Sequence, residues 1–146
     1  MQNVKYKIAD MSDIDAMIDV GDDIFDEEIK KDRAIEFIND ERHHLYLAYL
    51  NGDIVGMVSA INYVHPDKEP AMFILEAGVL EEHQNQGIGR TLIKEMVAFG
   101  KELGCEEIWV ATEQSNLPAR KAYVAAGAIE DKEPSVLLTF ESNEHS

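Results

Sequence analysis

The stretch of sequence that decides the fold is residues 79–90, VLEEHQNQGIGR. It follows an apolar run over residues 72–80 that predicts a buried strand. It leads into residues 87–103, where apolar side chains recur at helical spacing. The first turn of a helix has backbone N–H groups without intrahelical partners, and the helix dipole favours negative charge there. Because Gly87 and Gly89 let the backbone approach a ligand, the stretch predicts a strand–loop–helix cradle for a pyrophosphate.

Other phosphate-binding loops do not fit this stretch. A P-loop needs Gly-x-x-x-x-Gly-Lys-Ser/Thr, which is absent, and a dinucleotide fingerprint beginning at Gly87 needs glycine where Leu92 stands. The remaining pattern, Gln84-x-x-Gly87-x-Gly89, resembles the Gln/Arg-x-x-Gly-x-Gly/Ala signature with which the GNAT superfamily of N-acetyltransferases holds the pyrophosphate of CoA. An ordinary strand-to-helix turn that contains glycines is the alternative interpretation.

A second strand-to-helix junction strengthens this resemblance. Residues 116–123, NLPARKAY, resemble the Asn-x-x-Ala-x-x-x-Tyr pattern of the family. The resemblance covers the whole chain in element order and is strongest over residues 72–127. It implies an α/β (α+β) fold with a mixed, mostly antiparallel sheet, a central pair of splayed parallel strands and about four flanking helices.

Hydrophobic periodicity and turn residues place the individual elements. Strands are predicted over residues 4–8, 45–50, 54–64, 72–80, 107–112 and 136–140. Helices are predicted after an N-cap at Ser12 and over residues 32–39, 87–103 and 118–126. The dipeptide Asn51-Gly52 predicts a tight hairpin. We expect a single domain over residues 1–141 and a polar tail over residues 142–146.

Composition and charge exclude several classes of function. The 146 residues suffice to bury one core, and a net charge of −16, from 29 acidic and 13 basic residues, disfavours binding to nucleic acid or an anionic membrane. No apolar run is long enough for a membrane span, and residues 1–10 lack the apolar stretch of a secretory signal. Together with the single cysteine, this predicts a cytoplasmic location. The histidines lack metal-ligand spacing, so no metal is expected.

The resemblance implies acetyl-CoA as a cosubstrate. Its pantetheine arm is expected between the strands at residues 72–80 and 107–112, bonded to backbone as an extra strand would be. Gly78 within the first of these strands is unfavourable unless a bulge or a close ligand explains it. Trp109 is expected to fill core beside the cofactor, and Cys105 to be a small buried core residue. The expected cofactor-binding residues are Ala77, Val79, Gln84, Asn85, Gln86, Gly87, Ile88, Gly89, Arg90, Asn116, Ala119 and Tyr123.

Acetyl transfer to an amine needs a base for the ammonium proton, a donor for the oxyanion and an acid for the departing thiolate. The resemblance makes Tyr123 the candidate acid; a tyrosine packed on a helix face is the alternative. Glu76 is the candidate base, because a carboxylate in an apolar strand needs a partner or a cleft, and a raised pKa would suit a base. A surface-facing Glu76 is the alternative. Glu113 is a second candidate for the base or for a substrate anchor, and family analogy makes a backbone N–H near Val79 the oxyanion donor.

The sequence says less about the acceptor amine than about the acetyl donor. Residues 76–88 resemble the short aminoglycoside 3-N-acetyltransferases, although Gln84 and Gly89 stand where those proteins have Arg and often Ala. An acidic cleft would bind a small-molecule cationic amine. Its expected anchors are Asp26, Glu27, Glu76 and Glu113, with Asp22, Asp23, Glu28 and Glu133 nearby.

Three functions remain open on this evidence. The first is an aminoglycoside acetyltransferase, and the second is an acetyltransferase for another amine, such as a polyamine, an amino acid or a protein N-terminus. The third is a non-catalytic CoA-binding module. A solvated acidic surface is the alternative explanation of the charge. Members of the family often form homodimers, so a homodimer is one expected assembly.

Overall fold

A five-stranded mixed sheet lies at the centre of the fold in the computed structural model, which describes residues 3–142. The strands, in their spatial order, are β1 (Lys5–Ile8), β2 (His43–Leu50), β3 (Asp53–Tyr63), β4 (Ala71–Val79) and β5 (Glu107–Trp109). Neighbouring strands are antiparallel except for β4 and β5, which are parallel. The predicted fold class, a mixed α/β architecture with one parallel pair, is therefore confirmed.

Helices cover both faces of the sheet. They are α1 (Ile14–Val20), α2 (Lys31–Asn39), α3 (Ile88–Glu102) and α4 (Leu117–Ala125). One core lies under α3, where Leu92 and Met96 are fully buried, and a second lies under α1 and α2 around Met17 and Met57. The longest helix, α3, buries one apolar stripe, as an amphipathic surface helix does, whereas no residue of α4 is fully buried. Within residues 3–142, none of the helices has the length and apolar character that a bilayer crossing requires.

The local turn signals have mixed outcomes. Asn51 and Gly52 both adopt positive φ, at 52° and 85°, so the hairpin between β2 and β3 is confirmed. The expected N-cap at Ser12 is wrong, because Asp10 accepts the Ser12 amide and caps a 3-10 turn over Met11–Asp13 that precedes α1. The Asp10 amide in turn donates a hydrogen bond to the Asp13 carboxylate, and this reciprocal pair displaces the start of the helix.

The prediction of a last strand near the end of the chain is also wrong. Residues 136–140 form no strand, and the side chains of Val136, Leu137, Leu138 and Phe140 are 79–99% exposed. In addition, β5 ends at Trp109 rather than at position 112. Apolar, β-favouring residues make a strand only where a neighbouring strand offers hydrogen bonds. Of the predicted polar tail, residues 143–146 lie outside the described residues.

Candidate active site

A cleft opens where the two parallel strands stop pairing. The register joins Ala71–Phe73 to Glu107–Trp109 and ends there, although β4 continues to Val79. A β-bulge places Leu75 between the pairs Ala60–Ile74 and Ser59–Glu76 of the β3–β4 ladder. Bulges bend a strand and increase its twist, which separates β4 from β5 beyond this point. The strand edge from position 75 to Val79 therefore faces a gap in the sheet.

Three aromatic side chains mark the closed end of this cleft. The rings of Phe73 and Trp109 lie 4.3 Å apart, and Trp109 Nε1 donates a hydrogen bond of 2.6 Å to the Tyr63 hydroxyl. Trp109 is 44% exposed, so the expectation that it fills core is wrong. The reason is that β5 is a short edge strand. Sequence reasoning missed Tyr63 and Phe73, which only the strand register brings beside Trp109.

Glu76 lies immediately after the bulge and is partly buried. Its Oε2 accepts a hydrogen bond of 3.2 Å from the backbone amide of Asp26, in the segment between α1 and α2. Burial raises the pKa of Glu76, the Asp26 amide lowers it, and the negative charge of Asp26 raises it further. The net pKa lies above the ordinary value, so Glu76, which follows the end of the β4–β5 pairing, is a carboxylate suited to accept a proton.

The structure separates the acidic residues into two groups. The backbone amide of Asp26 is hydrogen-bonded to Glu76. Asp22 and Asp23 instead line a depression of about 590 Å³ together with Asp53, Glu81 and Glu82. Glu27, Glu28, Glu113 and Glu133 are exposed. Among the described residues, no hydrogen bond or ion pair links Glu113 to Glu76. The cluster expected from the sequence is therefore divided, and only Asp26 is in contact with the candidate base.

The loop between β4 and α3 has the form of an anion cradle. Gly87 adopts a left-handed conformation with φ of 85°, and α3 begins at the next residue without a side-chain cap. Gln84 Nε2 donates to the carbonyl of Val79 at 3.0 Å, which closes the loop. A Cβ at Gly87 would lie 3.5 Å from the guanidinium of Arg90, so this cation lies over the same loop. Uncapped amides, the positive end of the dipole and Arg90 together suit a pyrophosphate.

The remaining loop residues support this shape. Gly89 packs against Cγ2 of Val79, at 3.6 Å from the position of a Cβ. Ile88 is buried and anchors the first turn of α3 in the core, while Asn85 and Gln86 are exposed, with Asn85 at a φ of 62°. The predicted loop residues are thus adjacent, and all except the buried Ile88 are at least partly accessible.

The junction before α4 is tied together by its own side chains. Asn116 accepts the Ala119 amide at 3.2 Å and caps the helix, so this predicted cofactor contact already has a structural role. Arg120 donates two hydrogen bonds to Glu130, at 2.7 and 2.8 Å, and one of 2.8 Å to the carbonyl of Gln114. The sequence did not reveal this pair, because the two residues lie on different segments.

Tyr123 lies on α4 and is half-buried against the core under α3. Burial raises the pKa of its phenol, so the hydroxyl keeps its proton at neutral pH. This hydroxyl makes no hydrogen bond to another residue within the described range. It is therefore a protonated group whose donor is free for a ligand. Cys105 is buried, as expected.

Solved structures with the same fold come from several known proteins. An aminoglycoside acetyltransferase from an uncultured soil metagenomic sample, solved with sisomicin, superimposes with a TM-score of 0.81 at 20% identity, covering 94% of this chain and 97% of that one. The aminoglycoside N-acetyltransferase AAC(6')-Iy, solved with CoA, superimposes with a TM-score of 0.79 at 18% identity, covering 97% of both chains. At these identities, the likeness shows a shared fold.

Sequence comparison identifies the family. An uncharacterized N-acetyltransferase of Chlorobaculum tepidum is 29% identical over 115 residues, which are 79% of this chain and 72% of the relative. Residues 13–128 match the acetyltransferase (GNAT) family, and this range includes both parallel strands, the cradle and α4. The chain is therefore an acetyltransferase that belongs to the GNAT family.

Proposed function

We propose that this protein transfers the acetyl group of acetyl-CoA to an amine of a small polycationic acceptor, with an aminoglycoside as the best candidate. The observation that carries the proposal is the position of Glu76, a partly buried carboxylate on the part of β4 that no longer pairs with β5. The cradle at the N-terminus of α3 follows the same strand. Strand β4 thus carries the candidate base for the acceptor and also leads into the loop that would bind acetyl-CoA.

The acetyl donor would be held along β4 and at the start of α3. The cradle over residues 84–90 would take the pyrophosphate, and the free edge at Ala77 and Val79 would bond to the pantetheine arm. Support comes from the uncapped helix and from Arg90 over Gly87. Asn116 and Ala119 remain proposed contacts, although their mutual hydrogen bond leaves less of their polar surface for a ligand.

The reaction would proceed by direct attack. Glu76, directly or through a water molecule, accepts the proton of the acceptor ammonium, and the freed lone pair attacks the acetyl carbon. The N–H near Val79 would stabilise the oxyanion. As the carbon–sulfur bond breaks, Tyr123 would donate its proton to the leaving thiolate, and the extra proton on the nitrogen of the intermediate would return to the tyrosine oxygen, directly or through water. Glu113 is the alternative base, and because it is exposed and lies beyond the end of β5 at Trp109, an anchoring role is favoured instead.

The acceptor class is proposed from charge. Asp26, Glu27, Glu76 and Glu113 would anchor ammonium groups, and the carboxylates around the 590 Å³ depression add to the negative field. The sequence resemblance favours the 3-N position of an aminoglycoside, whereas AAC(6')-Iy is named for the 6' position. A polyamine, an amino acid or a protein N-terminus is the second candidate acceptor. A non-catalytic CoA-binding module is the third and least supported.

A substrate panel tests this proposal. Release of the free CoA thiol is measured with gentamicin, spermidine, a free amino acid and a peptide N-terminus as acceptors. We expect the highest kcat/KM with gentamicin, and NMR of the product distinguishes the 3-N from the 6' position. Turnover of spermidine or peptide but not of gentamicin would overturn the aminoglycoside. Binding of acetyl-CoA without turnover of any amine would favour the non-catalytic module.

The pH profile tests the role of Glu76. A base must be deprotonated, and burial raises the pKa of Glu76, so activity should be present above this pKa and lost as the pH falls through it. Glu76→Gln should remove this limb of the profile while acetyl-CoA still binds. A profile that keeps the same acidic limb in Glu76→Gln would reassign the base.

A homodimer is the assembly that we favour. The exposed apolar side chains over residues 136–140 support it, because monomeric proteins rarely expose a contiguous apolar patch of this kind.

A further inference from the structure

The segment between α1 and α2 crosses β4 at Gly78. A Cβ at this position would overlap the carbonyl oxygen of Ile24 and lie 3.1 Å from its carbonyl carbon. Only glycine fits such a close approach of two backbones. The expectation that a bulge or a ligand explains Gly78 is therefore corrected. The bulge lies earlier, at Leu75, and the close neighbour is the backbone of the chain itself.

The same crossing brings the Asp26 amide to Glu76. Side chains of a strand alternate between its faces, so positions 76 and 78, both after the bulge, share the face on which the α1–α2 segment lies. Asp26 N donates to Glu76 Oε2 at 3.2 Å, two residues beyond the Ile24 carbonyl. The Ile24 side chain is 7% exposed and packs in the core under α1 and α2. Residues 24–26 are thus held by an apolar anchor, a backbone contact and one hydrogen bond.

We propose that Gly78 is a positioning residue for the acceptor side of the reaction, because it admits the Ile24 carbonyl and so directs the Asp26 amide to Glu76. The inference rests on the proposed role of Glu76 and deepens it. Val79 faces the opposite side of β4, where it contacts Gly89 of the cradle. The two faces of one strand therefore serve the acceptor and the acetyl donor separately.

Gly78→Ala is the direct test. The added methyl group displaces residues 24–26, and we expect kcat/KM for the acceptor to fall about 10²-fold, as a small displacement of a reacting group does. The Kd for acetyl-CoA should not change. In the Glu76→Gln background, Gly78→Ala should cause no further loss, since no carboxylate remains to be positioned. Additive losses would overturn the proposal.

Hydrogen exchange supplies a readout that does not depend on turnover. We expect the Asp26 amide to be protected in the wild type and to exchange quickly in Gly78→Ala. The Leu80 amide, which donates to the Val55 carbonyl at 2.9 Å, should stay protected and so report an intact sheet. Protection of the Asp26 amide in Gly78→Ala would overturn the positioning role. If wild-type protein acetylates no amine but shows the expected exchange pattern, the proposed function fails while the positioning of Glu76 stands.

Further variants control the interpretation. Gly100→Ala, on α3, brings a methyl group to 2.8 Å from the Met72 sulfur and 2.9 Å from Ile108, in the core away from Gly78. It should lower Tm without exposing the Asp26 amide, and exposure of that amide would contradict a specific role for Gly78. If Gly78→Ala does not fold, Asp26→Pro removes the hydrogen-bond donor itself. Since Asp26 is also a proposed anchor of the acceptor, the loss of acceptor kcat/KM is compared with that of Asp26→Ala, which keeps the amide. We expect the larger loss in Asp26→Pro, and equal losses would contradict the proposal.

Discussion

At the scale of single residues, Asp13 is a buried carboxylate held by three hydrogen bonds. It is 4% exposed and accepts hydrogen bonds from the Tyr49 hydroxyl at 2.6 Å, the Lys7 amine at 2.8 Å and the Asp10 amide at 2.8 Å. Its carboxylate raises the pKa of Lys7 through this hydrogen bond, and burial followed by the same carboxylate raises the pKa of Tyr49. Asp13 thus joins β1, β2 and the turn before α1.

Removal of the Asp13 charge should therefore destabilise the fold. We expect Asp13→Asn to lower the free energy of unfolding by about 2 kcal/mol, the usual magnitude for a hydrogen bond to a charged group. Urea denaturation measures the change. Asp15→Asn, at an exposed position of α1, is the matched control and should change stability by less than about 0.5 kcal/mol. Equal effects of the two substitutions would contradict the role of Asp13.

Tyr123 gives a second prediction at this scale. Its raised pKa keeps the phenol protonated, and its hydroxyl has no hydrogen-bond partner among the described residues. We expect Tyr123→Phe to lower kcat about 10²-fold with little change in acetyl-CoA affinity, because general acid catalysis contributes at this level. The measurement is steady-state release of CoA thiol together with calorimetric binding of acetyl-CoA.

Tyr46→Phe is the control for Tyr123→Phe. Tyr46 is also half-buried and has a pKa raised by burial, and its ring contacts Phe99 of α3 at a centroid distance of 6.3 Å. Loss of its hydroxyl should leave kcat unchanged. An equal fall of kcat in the two variants would remove Tyr123 as the acid.

At the scale of elements, the two ends of α3 differ in what they offer a ligand. Gly87 precedes the N-terminus with φ of 85°, and Gly104 follows the C-terminus with φ of 89°. A side chain at either position meets similar backbone strain. Only the N-terminal end presents uncapped amides and the positive end of the dipole.

A glutamate substitution at each end of α3 separates an effect on the cradle from a general effect on the helix. Gly87→Glu should abolish acetyl-CoA binding, because it adds bulk and negative charge where the pyrophosphate would lie. Gly104→Glu adds the same charge and similar strain at the far end of the helix, and it should leave the Kd unchanged. Calorimetric titration with acetyl-CoA measures both. Near-normal affinity in Gly87→Glu would place the pyrophosphate elsewhere.

At the scale of the whole molecule, two features have opposite effects on self-association. The exposed apolar run over residues 136–140 favours it, and the net charge of −16 disfavours it. Burial of the run against a second copy stabilises a dimer, whereas repulsion between two acidic copies weakens it. Salt screens this repulsion, so we expect the dimer fraction to rise with ionic strength. Light scattering after size-exclusion chromatography measures the mass.

A variant of the apolar run tests this assembly. Leu138→Asp should shift the protein to the monomer, while Ile129→Asp, at an exposed residue outside the run, is the matched control. A wild-type monomer at every salt concentration would contradict the homodimer.

The sequence by itself determined what depends on residues close along the chain. The helix of residues 88–102, the hairpin at Asn51 and the glycine-containing loop before α3 each follow from local periodicity, turn residues or a short motif. Motif resemblance extended this to the fold class, because the family pattern records a tertiary arrangement that periodicity cannot reveal. Local signals also produced the errors: Ser12 looked like a cap, and residues 136–140 looked like a strand.

Only the tertiary structure decided which distant groups meet. In the folded chain, β5 ends at Trp109, the Ile24 carbonyl lies against Gly78, and the Asp26 amide donates to Glu76. These contacts join segments about 50 residues apart, and no short-range pattern encodes the bulge, the register or the path of a crossing loop. The position of the candidate base is therefore a property of the packed sheet, whereas the proposed cradle for the acetyl donor is encoded locally, in residues 79–90.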